Sequence, residues 1–311
     1  MTRIAALCGG VGGAKLAAGL AQITNSIDLV INTGDDFSHY GLPVCPDLDT
    51  VLYTLAGVAN AEQGWGRAAE TLHVQNELAA LGEQLWFVLG DKDIALHLLR
   101  ARLLSEGARL SQAMAEIARR FGVSANLLPM ADTPAPTMVD SEAGLLPFQE
   151  YFVARRCAPK VRRLNYGGTD AKAAPEALAA LNSNQTGGII VCPSNPYLSV
   201  APILAVKELR DALLNRRAPA LAVCPLIGGR AVKGPTAKIM AELGLQPTAV
   251  EIARFYTGLI DIFVLDNADA GEVPAVQALG MRAVVAPILM QTADDRLKLA
   301  RHCVEMLLTS S

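Results

Sequence analysis

The chain has 311 residues, 51% hydrophobic and 18% charged, with 27 Lys and Arg against 30 Asp and Glu. A chain of this length buries a substantial core without disulfide or metal staples, as one large domain or two smaller ones. Its near-neutral balance lacks the basic stripe that a nucleic-acid groove needs. Gly and Pro break every apolar run before the ~18 residues of a membrane span, so neither nucleic acid nor membrane is an expected partner.

The first apolar run, 4–8, ends in CGGVGGAK and leads into an Ala- and Leu-rich helix predicted over 14–23. Similar short runs follow at 27–31, 85–89, 188–192, 220–224, 260–265 and 282–286. Runs of four to six apolar residues without polar alternation suit strands buried on both faces. Helical patterns lie between many of them: 203–214 ends in Asn215-Arg216-Arg217, 235–243 opens on Pro235 and stops at Gly244, and 294–308 closes the pattern. Alternating strands and helices predict an α/β fold, a three-layer core with a parallel sheet.

Residues 93–185 break that rhythm. Helices are predicted over 94–104 and 111–121, the second with Ser111 as N-cap, Met114, Ile117, Ala118 and Phe121 on one face, and Gly122 as its stop. A loop-rich part follows. No Ser/Gly-rich or charged linker bounds the stretch, so it is expected as an inserted, largely helical lobe packed on a core of 1–92 and 186–311. The basic cluster Arg155, Arg156, Lys160, Arg162 and Arg163 reads as a solvated rim. Six cysteines show no CxxC pair and no zinc-like spacing with histidine. Reduced buried thiols, and glycines that end the first apolar run too early for a secretory signal, predict a cytoplasmic protein.

Loops at successive strand ends carry the candidate chemistry. In CGGVGGAK, Gly9, Gly10, Gly12 and Gly13 let backbone approach a phosphate at a helix N-terminus. The spacing matches neither GxGxxG nor the P-loop lysine motif. The second loop, NTGDDFSHYGLPVCPDLDT, places Asp35, Asp36, Asp47 and Asp49 after the run 27–31. Such oxygen ligands suit Mg²⁺ held by one or two carboxylates with substrate phosphates, while Asp47 or Asp49 could instead cap a helix from Thr50 onward. In LGDKDIALH, Lys92 follows a predicted strand, where a phosphate contact and a solvated lysine are both open readings; His97 is either in the crevice or a satisfied helix histidine. Pro193-Ser194-Asn195-Pro196 forms a rigid loop presenting a hydroxyl and an amide, and GGRAVKGP brings glycines and Lys233 before another helix. No GxSxG elbow and no HExxH motif is present, so positioning and charge neutralisation, as in phosphoryl transfer, are the expected catalysis.

In order along the chain, CGGVGGAK, NTGDD, PDLDTVLYTLAG, LGDKD, LLPMAD, FQEYFV, CPSNPYLSVAPIL, PLIGGRAVKGPTAKIM and ILM strongly resemble the 2-phospho-L-lactate transferase (CofD) family of coenzyme F420 biosynthesis. The resemblance implies a Rossmann-like core with an inserted lobe, a homodimer, and Mg²⁺-dependent transfer of a phospholactyl-type group. The donor would be a guanosine diphosphate-linked three-carbon acid, the acceptor the deazaflavin Fo, and GMP the product. It implies Asp49 and Lys92 as Fo contacts, Gly9, Gly10, Gly12, Gly13, Ser194 and Asn195 as nucleotide contacts, joined by Gly234 and Pro235, and Asp49 with Asp36 or Asp47 for the metal and for orienting the attacking hydroxyl. Leu96, where the family usually has Thr, and Ala113-Met114, replacing polar residues, are departures expected to alter the crevice wall. A related family of nucleotide-sugar-binding, non-enzymatic regulators shares the glycine loop without the PDLDT and GDKD pairing. An NAD-dependent dehydrogenase would want GxGxxG.

Overall fold

The computed structural model describes residues 3–309. Seven strands form its central sheet: β1 (Arg3–Cys8), β2 (Ile27–Ile31), β3 (Asn126–Pro129), β4 (Thr186–Val191), β5 (Ala220–Val223), β6 (Ile262–Leu265) and β7 (Arg282–Val285). They are all parallel, in the order β7-β6-β5-β4-β1-β2-β3. Leu7 of β1 lies opposite Val30 of β2 on one side and Val191 of β4 on the other. Ala5 to Cys8, Ile189 to Val191, and all of β5 have no exposure, because helices cover both faces of the sheet. That coverage is why these segments read as unbroken apolar runs. Strand order reverses between β1 and β4, and a sheet of this kind opens its ligand crevice beyond the strand ends at such a point.

Helix α1 (Gly10–Ala21) follows β1 and packs against the C-terminal helix Ala293–Leu308. Between β2 and β3 lie a hairpin (Phe37–His39 with Leu42–Val44), α2 (Pro46–Leu55), a short helix His73–Ala80, α3 (Asp91–Ser105) and α4 (Leu110–Arg120). The stretch 93–185 holds most of α3, all of α4 and a helix Pro175–Asn182, and two sheet features besides. One is β3, which joins the central sheet as its edge. The other is an antiparallel sheet of Gly144–Pro147, Thr137–Ser141 and Val161–Tyr166. β3 is four residues long and ends in Pro129, a length and composition that an edge strand tolerates and that a sequence reading takes for loop.

Three expectations change. Residues 85–89 form no strand; Trp86 and Val88 are exposed, and the aromatic side chains there pack against the hairpin ring of Phe37 rather than joining a sheet. Helix α2 begins at Pro46, not Thr50, so Asp47 and Asp49 lie inside its first turn rather than capping it. Arg109, not Ser111, is the N-cap of α4, and the Ser111 amide donates to Asp132 Oδ1 at 2.8 Å. Gly122 does follow the helix end in the left-handed conformation, φ +69°.

Candidate active site

Three loops meet at the β1/β4 reversal. Gly9 is the extended N-cap of α1, and Gly10 takes φ +61°, a conformation glycine adopts without cost. Ser194, just beyond β4, staples the first loop: its hydroxyl donates to Gly9 O at 2.9 Å and accepts from Gly9 N at 3.2 Å. A Cβ on Gly12 would stand 2.2 Å from Pro193 O, and one on Gly13 would stand 2.8 Å from Ser194 Oγ. The glycines therefore serve close packing between the two loops. Their amides are partly committed, since Gly10 N donates to Asp47 Oδ1 at 2.6 Å. A carboxylate thus already sits at the positive end of α1, and amides later in the first turn are what remains for a phosphate.

Asn195 accepts from Tyr197 N and Leu198 N through Oδ1, while its buried Nδ2 has no partner and is an unused donor. Gly234, φ +77°, and Pro235 precede the helix Thr236–Glu242. That loop reaches α1 through residue 64: a Cβ on Gly64 would lie 2.9 Å from Lys233 Nζ and 3.3 Å from Val11 Cγ1. Lys15, one turn after Val11, has its pKa lowered by burial and by the neighbouring charges of Arg296 and Lys233. Several cations therefore flank the glycine loop.

Two of the aspartates meet at Asn32, just past the end of β2. Asn32 Nδ2 donates to Asp47 Oδ2 at 2.9 Å and to Asp35 Oδ1 at 3.1 Å, and its Oδ1 accepts from Gly34 N at 2.8 Å. Burial, then the charges of Asp47, Asp36 and Asp49, push the Asp35 carboxyl well above the usual range. Asp36 is raised by burial too, although a Cys45 hydrogen bond and the Arg100 charge oppose the shift. Asp47 is raised to about 6 by burial, held back by its bonds from Asn32 and Gly10. Asp36 Oδ1 is buried without a partner. Asp49 instead meets Arg100, wholly buried on α3, and His97 Nδ1 lies 3.8 Å from Asp49 Oδ2. His97 is 2% exposed and its pKa falls to about 4 through burial, so it is a neutral helix histidine that touches the site.

Lys92 stands apart from this group. Its Nζ donates to Ala69 O at 2.6 Å and Ala68 O at 3.2 Å, and its amide donates to Glu70 Oε2. The lysine thereby ties the 68–70 segment over the start of α3. Asp93 accepts from Tyr53 OH at 2.7 Å, which joins that helix start to α2 one turn beyond Asp49. Leu96, Ala113 and Met114 are buried, and Met114 packs its sulfur 3.7 Å from the Arg100 guanidinium.

A shelf of rings borders the carboxylates. Phe37 and His39 on the hairpin lie 4.9 and 5.6 Å from the Phe87 ring, and His39 lies 5.5 Å from the Trp86 ring. Trp86 is 39% exposed and Tyr40 47%. Asn32, Arg100 and this shelf were not among the residues expected from sequence. Arg100 had a signal: it stands three residues after His97 and seven after Asp93, on one helical face. The shelf had none, because its rings come from segments far apart in the chain.

Among the described residues no three His, Cys, Asp or Glu side chains converge as a ready-made metal cage. A Mg²⁺ bound through one or two carboxylates and completed by phosphate oxygens and water needs no such cage. The donor set fits that mode, with crowded buried carboxylates and an unpartnered Asp36 oxygen.

The family described as 2-phospho-L-lactate transferase CofD matches residues 4–286. A phosphoenolpyruvate transferase of Streptomyces griseus is 40% identical over 98% of this chain and 98% of its own. A 2-phospho-L-lactate transferase of Methanosarcina mazei is 32% identical over 96% of this chain and 98% of its own. The crystal structure of a UPF0052-family protein from Bacillus halodurans superposes with a TM-score of 0.64 at 17% identity, covering 98% of this chain and 99% of that one; it shows the fold alone.

Proposed function

The chain belongs to the 2-phospho-L-lactate transferase CofD family and is a transferase, and from this premise we propose that it moves a phosphorylated three-carbon acid from a GDP-linked donor to the deazaflavin Fo. Supporting observations are the buried carboxylates at the β1/β4 reversal, the cations beside the glycine loop, and the aromatic shelf on the hairpin that follows Asp36. Asp35, Asp36, Asp47 and Asp49 crowd one another, and the buried Arg100 bonds only Asp49 of the four and is otherwise felt by Asp36. That imbalance is the single observation that carries the reading, because it calls for a bound cation.

The planar acceptor stacks on Trp86 and Tyr40, which puts its ribityl chain beside Asp36 at the foot of the hairpin. The donor diphosphate lies across the first turn of α1, near Lys15 and Lys233, and Asn195 Nδ2 supplies a neutral hydrogen bond to the nucleotide. The ribityl hydroxyl oxygen attacks the β-phosphorus, forming a P–O bond; the bond from that phosphorus to the bridging oxygen breaks and GMP leaves. Asp49 orients the hydroxyl, and a neighbouring carboxylate of raised pKa receives its proton. Asp49 with Asp36 or Asp47 would hold Mg²⁺, which when bound would supply charge neutralisation at the transferring phosphate.

The test incubates the purified chain with Mg²⁺, Fo and the GDP-linked forms of phosphoenolpyruvate, 2-phospholactate and phosphoglycerate in competition, reading GMP release and the mass of Fo. One donor is expected to be used at least about tenfold better than the others, a difference of about 1.4 kcal/mol. Turnover undiminished without Mg²⁺, or in Asp49→Ala, would overturn the mechanism. Tight binding of a uridine-linked sugar with no Fo binding would favour a ligand-sensing regulator.

A further inference from the structure

Arg100 has no solvent exposure and is the largest side chain buried to that degree. It donates to both oxygens of Asp49, with Nη1 3.3 Å from Oδ2 and Nη2 on Oδ1. Nη1 also donates to Pro43 O at 3.0 Å and lies 3.3 Å from His97 Nδ1, and Nη2 lies 3.7 Å from Met114 Sδ. One guanidinium thus joins the hairpin, α2, α3 and α4. Nε is buried with no partner, so the group is not arranged for its own hydrogen bonding. Its two forked donors are arranged around Asp49.

Burying an arginine is expensive, and replacing a buried ion pair by packed apolar residues is often neutral or stabilising. Stability alone gives little reason for this one. Geometry gives a better reason. Asp49 lies in the first turn of α2, two positions after Asp47 and so on a different face of the helix, and without a fixed partner its carboxylate would be free to take other rotamers. Bidentate donation from the core side removes that freedom, because the planar fork fixes both oxygens at once. Each oxygen keeps a lone pair directed away from the arginine.

We propose that Arg100 is a positioning residue for the transfer: from the buried side of α2 it locks the Asp49 carboxylate so that its outward lone pairs meet the incoming hydroxyl or its cation. The inference rests on the transferase reading above.

Variants Arg100→Lys, Arg100→Met, Asp49→Asn and the double variant Asp49→Asn with Arg100→Met test it, with Tm, kcat, KM for Fo, and GDP affinity by calorimetry measured on each. Arg100→Met strands a buried carboxylate, so Tm and kcat both fall. The double variant removes both charges and is expected to regain Tm while kcat stays at the Asp49→Asn level, about 100-fold down, because the carboxylate itself is gone. Arg100→Lys keeps the charge but not the fork, and is expected to fold with kcat reduced about tenfold or more and GDP affinity within about twofold of wild type. A folded Arg100→Lys or double variant with wild-type kcat would show the pair to be structural only and overturn the proposal. If the wild-type chain transfers nothing to Fo, the transferase reading fails and this inference fails with it.

Discussion

Gly12 shows how little room the site leaves. An added methyl at 2.2 Å from a backbone carbonyl cannot be relieved by a side-chain rotation, so Gly12→Ala has to separate the β1 and β4 loops. A loss of about 3 kcal/mol is expected in urea denaturation, the upper part of the overpacking range, together with loss of nucleotide binding. Gly41→Ala is the contrast: its backbone is left-handed, φ +75°, but nothing stands within 4 Å. Only conformational strain of about 1 kcal/mol applies there. Equal costs for the two would refute the packing argument. At this scale the sequence singled out glycines, aspartates and the Ser194-Asn195 pair, and the structure brings the glycine loop, Asp47 and Ser194 into contact. What it could not supply was direction: Gly10 N points to Asp47 and Lys92 Nζ to backbone carbonyls, both choices made by neighbours distant in sequence.

The start of α3 is held by a residue that no motif marks. Glu70 accepts from the Lys92 and Asp93 amides with its two oxygens, so a carboxylate from a preceding loop caps the helix and faces its positive end. Glu70→Ala is expected to cost about 1 kcal/mol of stability. It should cost more in activity than in stability, because Lys92 and the 68–70 segment lose their common anchor. A kcat/KM that falls by less than about twofold would show that this helix start does not matter to the site. Helices α2 and α3 were foreseen as elements, but each begins earlier than expected, α2 at Pro46 and α3 at Asp91. In both cases the first turn is satisfied from outside the helix or by proline, so local capping signals misplace the boundary.

Over the whole molecule, crowded acids make stability depend on pH. Asp47 is raised to about 6 by burial and Asp93 to about 6 chiefly by burial, so the folded chain holds protons that the unfolded chain releases near pH 4. Their contribution to stability is therefore present below about pH 4 and is lost as pH rises through about 6. His97, lowered to about 4, acts oppositely: the unfolded chain protonates first, so acidification below about 6.5 disfavours folding through that group. In the proposed function a bound cation would replace the missing protons. Mg²⁺ at about 100 times its Kd is expected to stabilise the chain by about 2.7 kcal/mol, with the rise in Tm larger at pH 8 than at pH 5. A rise that is the same at both pH values would separate metal binding from these carboxylates. By itself, the sequence determined the strand-and-helix alternation, the parallel sheet and the loops that carry polar groups, because apolar runs, glycines and prolines act within a few residues. Only the tertiary structure decided that β3 closes the sheet edge, that Arg100 claims Asp49 rather than another acid, and that rings from two distant segments form one shelf. Those outcomes depend on which surfaces the packed core brings within a few ångströms, and no local spacing encodes that.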